Sequence, residues 1–315
     1  MKKVAIILWL YRTRRWPLIK QLLDQIKDKI SLYVGVCSET CSSELYEELQ
    51  NYAKDTDGKI TYYNNIGKSS SSFLYEISEL DVEKHPLFIK IHSQQEITSL
   101  RFQFPVLESL LNDLIGNPET FLHNTFLFKS NPECGMIASS FFCSQGDVGT
   151  FDDSIVKKLF HFVGADYYSL PNNKKQYVNK SVFMSRTDIF QRHITKDLAE
   201  SVAEFFTNMQ NDEETEKMLL SLELFFGYIV NFQGLNIISS EIKKEYKISH
   251  SEFHLVPLPN NYVYLKENPL ISGVIKEQTN EVFTVEWRCI FCKHLQHFSF
   301  DPYQDNLLHF SSSVA

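Results

Sequence analysis

The 315-residue sequence lacks the marks of several large classes of protein. It has no long basic run, and its net charge is −8, with 39 acidic against 31 basic residues, so the electrostatic footprint of a nucleic-acid-binding protein is missing. The apolar run from Val4 to Leu10 is too short to cross a bilayer, and Tyr11 and three nearby arginines end it without a signal-peptide cleavage site. We therefore expect no nucleic-acid partner and no transmembrane segment, and we interpret this run as a buried first strand.

Cysteine is also sparse, with six residues scattered along a chain too long to need disulfide bonds for its stability. This usage fits reduced thiols and indicates a soluble cytoplasmic protein. Near the end, Cys289, Cys292, His294 and His297 have the residue types of a zinc site. All four crowd into a nine-residue stretch with strand-like character, so structural packing is the favoured interpretation. We expect no metal or other cofactor.

The composition is that of an ordinary globular protein, with 43% apolar and 22% charged residues. Aromatic residues are more numerous than a core alone demands, with 25 Phe, 15 Tyr and 3 Trp. Aromatic side chains form stacking walls for sugars and bases, but the codon preference of an AT-rich genome explains the count equally well. The length suits one large α/β domain with an appendage.

Apolar strand-like runs alternate with helical patterns through the first ninety residues. The predicted strands are Val4–Leu10, Ile30–Cys37, Lys59–Tyr63 and Pro86–Ile91, and the helices between them cover 18–26, 42–53 and 70–80. Such spacing indicates right-handed crossovers and an open, mostly parallel sheet flanked by helices.

Beyond residue 100 the alternation loosens, and the pattern predicts helices over 104–115, 118–128 and 213–232 and strands over 135–142 and 177–184. Past about residue 246 the composition changes, and a β-type alternation follows. We therefore predict a main domain over residues 1–245 and a C-terminal extension over 246–315.

In an open parallel sheet, ligands bind beyond the carboxyl ends of the strands. The residues at these positions are Tyr11 and Arg12, Ser38, Asn64 to Lys68, and Lys90 to Ser93. No Gly-x-Gly-x-x-Gly follows the first strand and no Gly-x-x-x-x-Gly-Lys-Ser/Thr occurs, so dinucleotide and P-loop chemistry are not expected. Gly67 and Lys68, before a helix, either offer phosphate-binding groups or form a plain capped loop.

Five segments carry a resemblance to a known family through their order and spacing. They are Asn65-Ile66-Gly67, Lys90-Ile91-His92-Ser93, Asn131-Pro132-Glu133-Cys134-Gly135-Met136, Ser181-Val182-Phe183-Met184-Ser185-Arg186 and Glu223-Leu224-Phe225-Phe226-Gly227. Over about residues 3 to 240 the chain resembles the rhamnan-synthesis F family of glycosyltransferases, which have the GT-A type of fold. Two departures are the serines 69–72 in place of an acidic residue and Gln94-Gln95 in place of lysines.

The resemblance implies transfer of a sugar, L-rhamnose or another deoxy sugar, from a nucleotide-sugar donor. It implies as acceptor a glycan or lipid-linked glycan of a surface polysaccharide, at the cytoplasmic face of a membrane with which the protein associates peripherally. The donor-binding residues that it suggests are Tyr11, Ser38, Asn65, Gly67, Lys68, Lys90, His92, Ser93 and Arg101.

Metal-dependent enzymes of this fold hold a divalent ion with Asp-x-Asp at the end of the fourth strand, where this chain has Lys90 and His92. Cations there can neutralise a leaving diphosphate directly, so metal-independent transfer is expected, with Lys90, His92 and Arg101 near the phosphates. The alternative is that Lys90 points into solvent and that His92 is only a hydrogen-bonded residue at the strand end.

An inverting transfer also needs a carboxylate that takes the proton of the acceptor hydroxyl. The candidates are Asp147 in a glycine-rich loop, Glu213 or Glu214 at the start of the long helix, and Glu223 within it. Acidic residues at a helix start often merely complement the helix dipole. Two other functions remain open: a non-catalytic GT-A-like module that binds a glycan or a partner, and a phosphate-binding hydrolase.

Overall fold

A computed structural model describes residues 2–63, 68–93, 103–139, 143–145, 153–170, 175–178, 181–208 and 212–240, together with six strands after residue 254. The chain divides into two compact units, one of residues 1–95 and 110–241 and the other of residues 96–109 and 242–315. The roles predicted for residues 1–245 and 246–315 stay predictions.

Within the residues that the structure describes, the first unit contains nine strands. They are β1 (Val4–Leu10), β2 (Ile30–Cys37), β3 (Lys59–Tyr63), β4 (Leu87–His92), β5 (Cys134–Ala138), β6 (Cys143–Gln145), β7 (Gln176–Val178), β8 (Phe183–Arg186) and β9 (Asn236–Ser239). Seven form one sheet in the order β3-β2-β1-β4-β8-β5-β9, while β6 and β7 pair separately. Only β8 runs antiparallel to its neighbours in the main sheet. The open, mostly parallel sheet predicted from the sequence is therefore confirmed.

Helices flank this sheet. They are α1 (Trp16–Asp24), α2 (Ser43–Asp55), α3 (Lys68–Glu79), α4 (Gln103–Ile115), α5 (Pro118–Ser130), α6 (Ser154–Phe162), α7 (Thr187–Gln191), α8 (Lys196–Asn208) and α9 (Asp212–Phe232). Tyr46 of α2 stacks on Tyr62 of β3 with 4.6 Å between ring centroids, whereas Glu76 of α3 accepts a 2.7 Å hydrogen bond from the Tyr63 hydroxyl. Because successive strand residues face opposite sides of a sheet, α2 and α3 lie on opposite faces.

The core on the α3 face is a cluster of phenylalanines. Phe73 of α3 lies 5.1 Å from Phe226 of α9, and Phe88 of β4 lies 5.1 Å from Phe190 of α7, measured between ring centroids. Phe183 of β8 completes the cluster, stacked 5.7 Å from Phe190. All five rings are buried, so each contributes both area burial and edge-to-face ring contacts to stability. The cluster holds three helices against β4 and β8.

The prediction of a single strand over residues 177–184 is wrong. The structure has two strands there, β7 and β8, which join different sheets. Between them Ser181 has a φ of 49°, in the left-handed region that a continuous strand does not contain. This change of direction lets β8 enter the main sheet between β4 and β5.

The second unit contains an antiparallel sheet of six strands in sequential order. They are β10 (Leu255–Leu258), β11 (Tyr262–Leu265), β12 (Ser272–Gln278), β13 (Phe283–Arg288), β14 (His294–Asp301) and β15 (Asn306–Val314). The β-type alternation in the sequence corresponds to this meander. Across the described ranges of the chain, no helix has both the length and the apolar character needed to cross a membrane.

The close approach of α9 to β7 provides a test of this packing. A Cβ atom at Gly227 would lie 2.2 Å from the carbonyl oxygen of Gln176 and 2.5 Å from the Cα atom of Tyr177. Because both are backbone atoms, Gly227→Ala should lower the free energy of unfolding by about 1–3 kcal/mol, the typical cost of overpacking. Urea unfolding measures this, with the exposed Glu216→Ala on the same helix as control. Equal stabilities of the two variants would contradict this packing.

Candidate functional site

The strand order places a crevice at the carboxyl end of β1. The chain continues from β1 to β2 on one side, whereas β4 lies on the other, so the order reverses between β1 and β4. In open α/β sheets this reversal is where ligands bind. In the register of the two strands, Trp9 lies beside His92, so the residues that follow each strand emerge together.

Two hydrogen bonds join the strand ends across this crevice. The backbone N–H of Ser93 donates to the carbonyl of Trp9 at 2.9 Å, and the backbone N–H of Arg12 donates to the Ser93 hydroxyl at 2.8 Å. Ser93 is fully buried and Tyr11 half-buried. The predicted donor-binding residues Tyr11, His92 and Ser93 are therefore brought together by the structure.

Three arginines follow β1 directly. From the sequence, Arg12 is a candidate by its position after the strand, whereas Arg14 and Arg15 mark only the end of an apolar run. Arg15, in a short 3-10 helix over Thr13–Arg15, is fully buried, while Arg14 is exposed. Burial, together with the nearby charges of Arg12 and Arg14, lowers the pKa of Arg15 to about 10. Three guanidinium groups are thus concentrated at the carboxyl edge. The signal that reveals them is the spacing of three arginines within four residues after a buried strand.

Lys90 lies deeper in the protein than the sequence analysis predicts. Only 1% of its surface is exposed, and its Nζ donates a 3.0 Å hydrogen bond to the carbonyl of Ser181. The ammonium lies 5.4 Å from the ring centroid of Phe73 and 5.8 Å from that of Phe226. It therefore sits inside the packing between the sheet and helices α3 and α9, and neither solvent nor an open pocket surrounds it.

Burial sets the charge of Lys90. It lowers the pKa of the ammonium to about 7, and the carboxylate of Glu223, on α9, opposes this shift. His92, two residues further along β4, faces the same side of the sheet and is 7% exposed. Glu223 is half-buried. A carboxylate, an ammonium and an imidazole thus lie on one face of the sheet near its carboxyl edge.

The other predicted site residues are distributed unevenly. Ser38 is exposed and follows β2 at the same edge, and α3 begins at Lys68. Glu213 is exposed in the first turn of α9, where a 2.7 Å ion pair with Lys217 lowers its pKa. The remaining predicted site residues, Asn65, Gly67, Arg101 and Asp147, lie outside the described residues.

The histidines, cysteines and carboxylates whose side chains the structure describes form no group of three or more that could hold a metal ion. Cys37, Cys41 and Cys134 are free thiols. Cys289 and Cys292 lie outside the described residues, so the interpretation of the C-terminal Cys and His residues stays a prediction. The expectation of metal-independent chemistry also stays a prediction.

Comparisons with known proteins find similar solved structures only. The sequence matches no known family profile and no curated protein. A crystal structure of the galactosyltransferase LgtC with donor and acceptor sugar analogs is 13% identical, covers 70% of each chain and has a TM-score of 0.35. The crystal structure of the glycosyltransferase GlyE of Streptococcus pneumoniae TIGR4 is 12% identical and has a TM-score of 0.32. The match covers 78% of this chain and 47% of the GlyE chain. The function proposed below therefore rests on the residues at the carboxyl edge.

The buried ammonium of Lys90 predicts a dependence of stability on pH. Its pKa is about 7 in the folded chain and near the usual 10.5 in the unfolded chain. Between these values the unfolded chain binds more protons, so the free energy of unfolding rises with pH, by at most about 1.4 kcal/mol per pH unit for one group. Below pH 7 the burial of the charged amine lowers the free energy of unfolding by its full amount. This loss of stability disappears as the pH approaches 10.5.

Replacement of the amine should remove this slope. Lys90→Met keeps the length of the side chain without its charge, so the difference in unfolding free energy between wild type and variant should change steadily from pH 6.5 to 9.5. Urea unfolding across this range measures the difference. Lys129→Met, at an exposed lysine, serves as control and should show a constant difference. A constant difference for Lys90→Met as well would show that its amine titrates like a lysine in solvent.

Proposed function

We propose that this chain is a glycosyltransferase that moves a sugar from a nucleotide-sugar donor to a glycan acceptor. The observation that carries the proposal is the pair Arg12 and Arg14 at the carboxyl end of β1, to which the buried Arg15 adds its charge, beside His92 and Ser93 of β4. Guanidinium groups bind phosphate oxygens in pairs of parallel hydrogen bonds, and this edge is where an open α/β sheet binds ligands. The cluster thus suits the diphosphate of a nucleotide sugar.

In this proposal the arginines stabilise the leaving group. As the bond between the sugar and the diphosphate breaks, negative charge grows on the phosphate oxygens, and fixed cations already in place stabilise that charge. The N-terminal turn of α3 begins at the same edge and adds backbone N–H groups. The end of β4 carries Lys90 and His92 and no carboxylate pair, which supports transfer without a metal ion.

Glu223 is the described residue that best suits the general base. The base must reach the hydroxyl of the acceptor, and Glu223 is half-buried on the face of the sheet that bears His92. Glu213 is a weaker candidate because it is exposed and pairs with Lys217. Asp147 remains a candidate from its sequence context. Lys90 is assigned a positioning role, since its ammonium holds the Ser181 carbonyl beside the site.

The family resemblance supports a finer proposal. The donor sugar is L-rhamnose or another deoxy sugar, and the acceptor is a glycan or lipid-linked glycan of a surface polysaccharide. The protein acts in the cytoplasm, associated peripherally with the inner face of the membrane. Asn65, Gly67, Lys68 and Arg101 belong to the donor site in this proposal, together with Tyr11 and Ser38.

A non-catalytic binding module is the second candidate. Two departures from the family pattern favour it: serines 69–72 replace an acidic residue, and Gln94-Gln95 replace lysines beside the phosphate edge. This candidate predicts glycan binding without measurable affinity for any nucleotide sugar.

Loss of one exposed guanidinium should weaken donor binding. Arg14→Gln removes a cation from the proposed phosphate site, and charge-assisted hydrogen bonds of 1.5–3 kcal/mol correspond to about a 10- to 100-fold rise in Kd. Isothermal titration with dTDP-, UDP- and GDP-sugars measures this, with the exposed Arg192→Gln as control. Failure of the wild-type chain to bind any of these donors would contradict the proposed transfer. Unchanged donor affinity of Arg14→Gln would show that Arg14 does not bind the donor.

Turnover should persist in EDTA. The wild-type chain, incubated with its best-binding donor and a glycan acceptor, should release the nucleotide diphosphate at the same rate with and without the chelator. The reason is that, in this proposal, cationic side chains of the protein neutralise the negative charge of the leaving group. Abolition of turnover by EDTA and its restoration by Mn²⁺ would replace the arginine mechanism with a metal site.

A further inference from the structure

A groove of about 510 Å³ runs along the outer edge of the main sheet, between β3, α3 and α8. One end lies at Lys59 and Glu79, and the other at Tyr63 and Ser71. Because β3 has five residues, the groove is about 16 Å long. Its second end lies where β3 stops, at the carboxyl edge that holds the arginine cluster.

Many of the lining residues bear a hydroxyl group. They are Thr61, Tyr62, Tyr63, Ser71, Tyr75 and Thr207. Among the described residues that line the groove, no aliphatic side chain is larger than that of Ala203. Such a surface offers little to an apolar peptide or an acyl chain, whose binding depends on buried apolar area.

A buried carboxylate holds part of this lining in place. Glu76, only 3% exposed, accepts hydrogen bonds from the Thr61 hydroxyl at 3.0 Å and the Tyr63 hydroxyl at 2.7 Å. Lys59 forms ion pairs with Glu76 at 3.1 Å and with Glu79 at 3.5 Å. The two hydroxyl groups are therefore held at fixed positions, and the lysine charge is largely neutralised.

Tyrosine rings supply flat apolar surfaces beside these polar groups. Tyr75 of α3 is half-buried, and its ring stacks on that of Tyr63 with 6.3 Å between centroids. A tyrosine that is fixed on one side by a second ring offers its remaining surface at little cost in conformational entropy.

Together these features select a class of ligand. Fixed hydroxyl groups, ring faces and nearly balanced charge fit an uncharged molecule with alternating hydroxyl groups and C–H faces, which is the chemistry of a neutral oligosaccharide. We propose that this groove binds the part of the acceptor glycan that lies away from the reacting sugar, an inference that rests on the proposed transfer. The groove then guides the chain toward the carboxyl edge, where the reaction takes place.

An array of neutral tri- to hexasaccharides, with sulfated and uronic-acid-containing counterparts, provides the probes. The full chain should bind neutral members and discriminate against the charged ones, and the best of them is then titrated by calorimetry. Tyr75→Ala, on α3, should raise the Kd about tenfold, the effect expected for loss of one ring contact. Thr207→Val, which keeps the side-chain shape without the hydroxyl, should also weaken binding.

The control is Tyr168→Ala, at a tyrosine that is 79% exposed and does not line the groove, and its Kd should equal that of the wild type. Absence of binding to every neutral oligosaccharide would overturn the proposal. Unchanged affinity in both Tyr75→Ala and Thr207→Val would do so too, as would preference for the charged glycans.

Titration with nucleotide sugars separates this inference from the proposed transfer. Tyr75→Ala and Thr207→Val should bind the donor as the wild type does, because neither residue belongs to the arginine edge. Glycan binding without donor binding would leave the groove in place and reject the transfer. Donor binding without glycan binding would reject the groove alone.

Discussion

The first strand, β1, imposes the constraint on which the architecture depends. All seven of its side chains are apolar and buried, and the strand is paired along both edges. A charged group within it would need a buried partner, which a strand covered on both faces rarely offers. Charge is therefore displaced to its carboxyl end, where Arg12, Arg14 and Arg15 follow at once. The strand that anchors the core thus also places the cations of the proposed site.

Lys90 of β4 is a charged residue inside the sheet, and its surroundings show how the free-energy cost of burying its ammonium is offset. The Ser181 carbonyl accepts its hydrogen bond, and Phe73 and Phe226 lie against the ammonium. Ser181 occupies the left-handed region, so the ammonium holds a carbonyl at the point where the chain changes direction into β8. Replacing a buried charged pair by apolar groups often leaves stability unchanged or improved, so stability alone is a poor reason to keep this lysine. Placement of the segment before β8 beside the crevice is the better reason.

Local patterns in the sequence predict β1 to β4 and the helices between them, because apolar runs and helical spacing depend on neighbouring residues. The division of residues 177–184 into β7 and β8 has no such signal. It depends on a single left-handed residue and on partners that are distant in the chain. The burial of Lys90 has the same origin, since α3, α9 and the segment before β8 enclose it.

In the candidate site, too, some features follow from the sequence and others depend on contacts between distant parts of the chain. Position after a parallel strand correctly brings Tyr11, His92 and Ser93 together, because that argument depends on topology alone. The arginine cluster as a whole is missed, although three arginines in four residues are plain in the sequence, because only Arg12 is a candidate by position, and Arg14 and Arg15 are interpreted as the end of an apolar run. The groove beside β3 has no sequence signal, since its lining comes from three elements that only folding brings together.

The antiparallel strand β8 has a consequence for synthesis of the protein. It fills the position between β4 and β5, yet it is made roughly ninety residues after β4 ends, which at ribosomal rates of about 5–20 residues per second is a delay of about 5–20 s. Throughout this interval the nascent chain carries β1, β2 and β4 with the outer edge of β4 unpaired. An unpaired apolar edge is a template for pairing with other chains. A chaperone that covers nascent apolar segments would therefore find a long-lived target at β4.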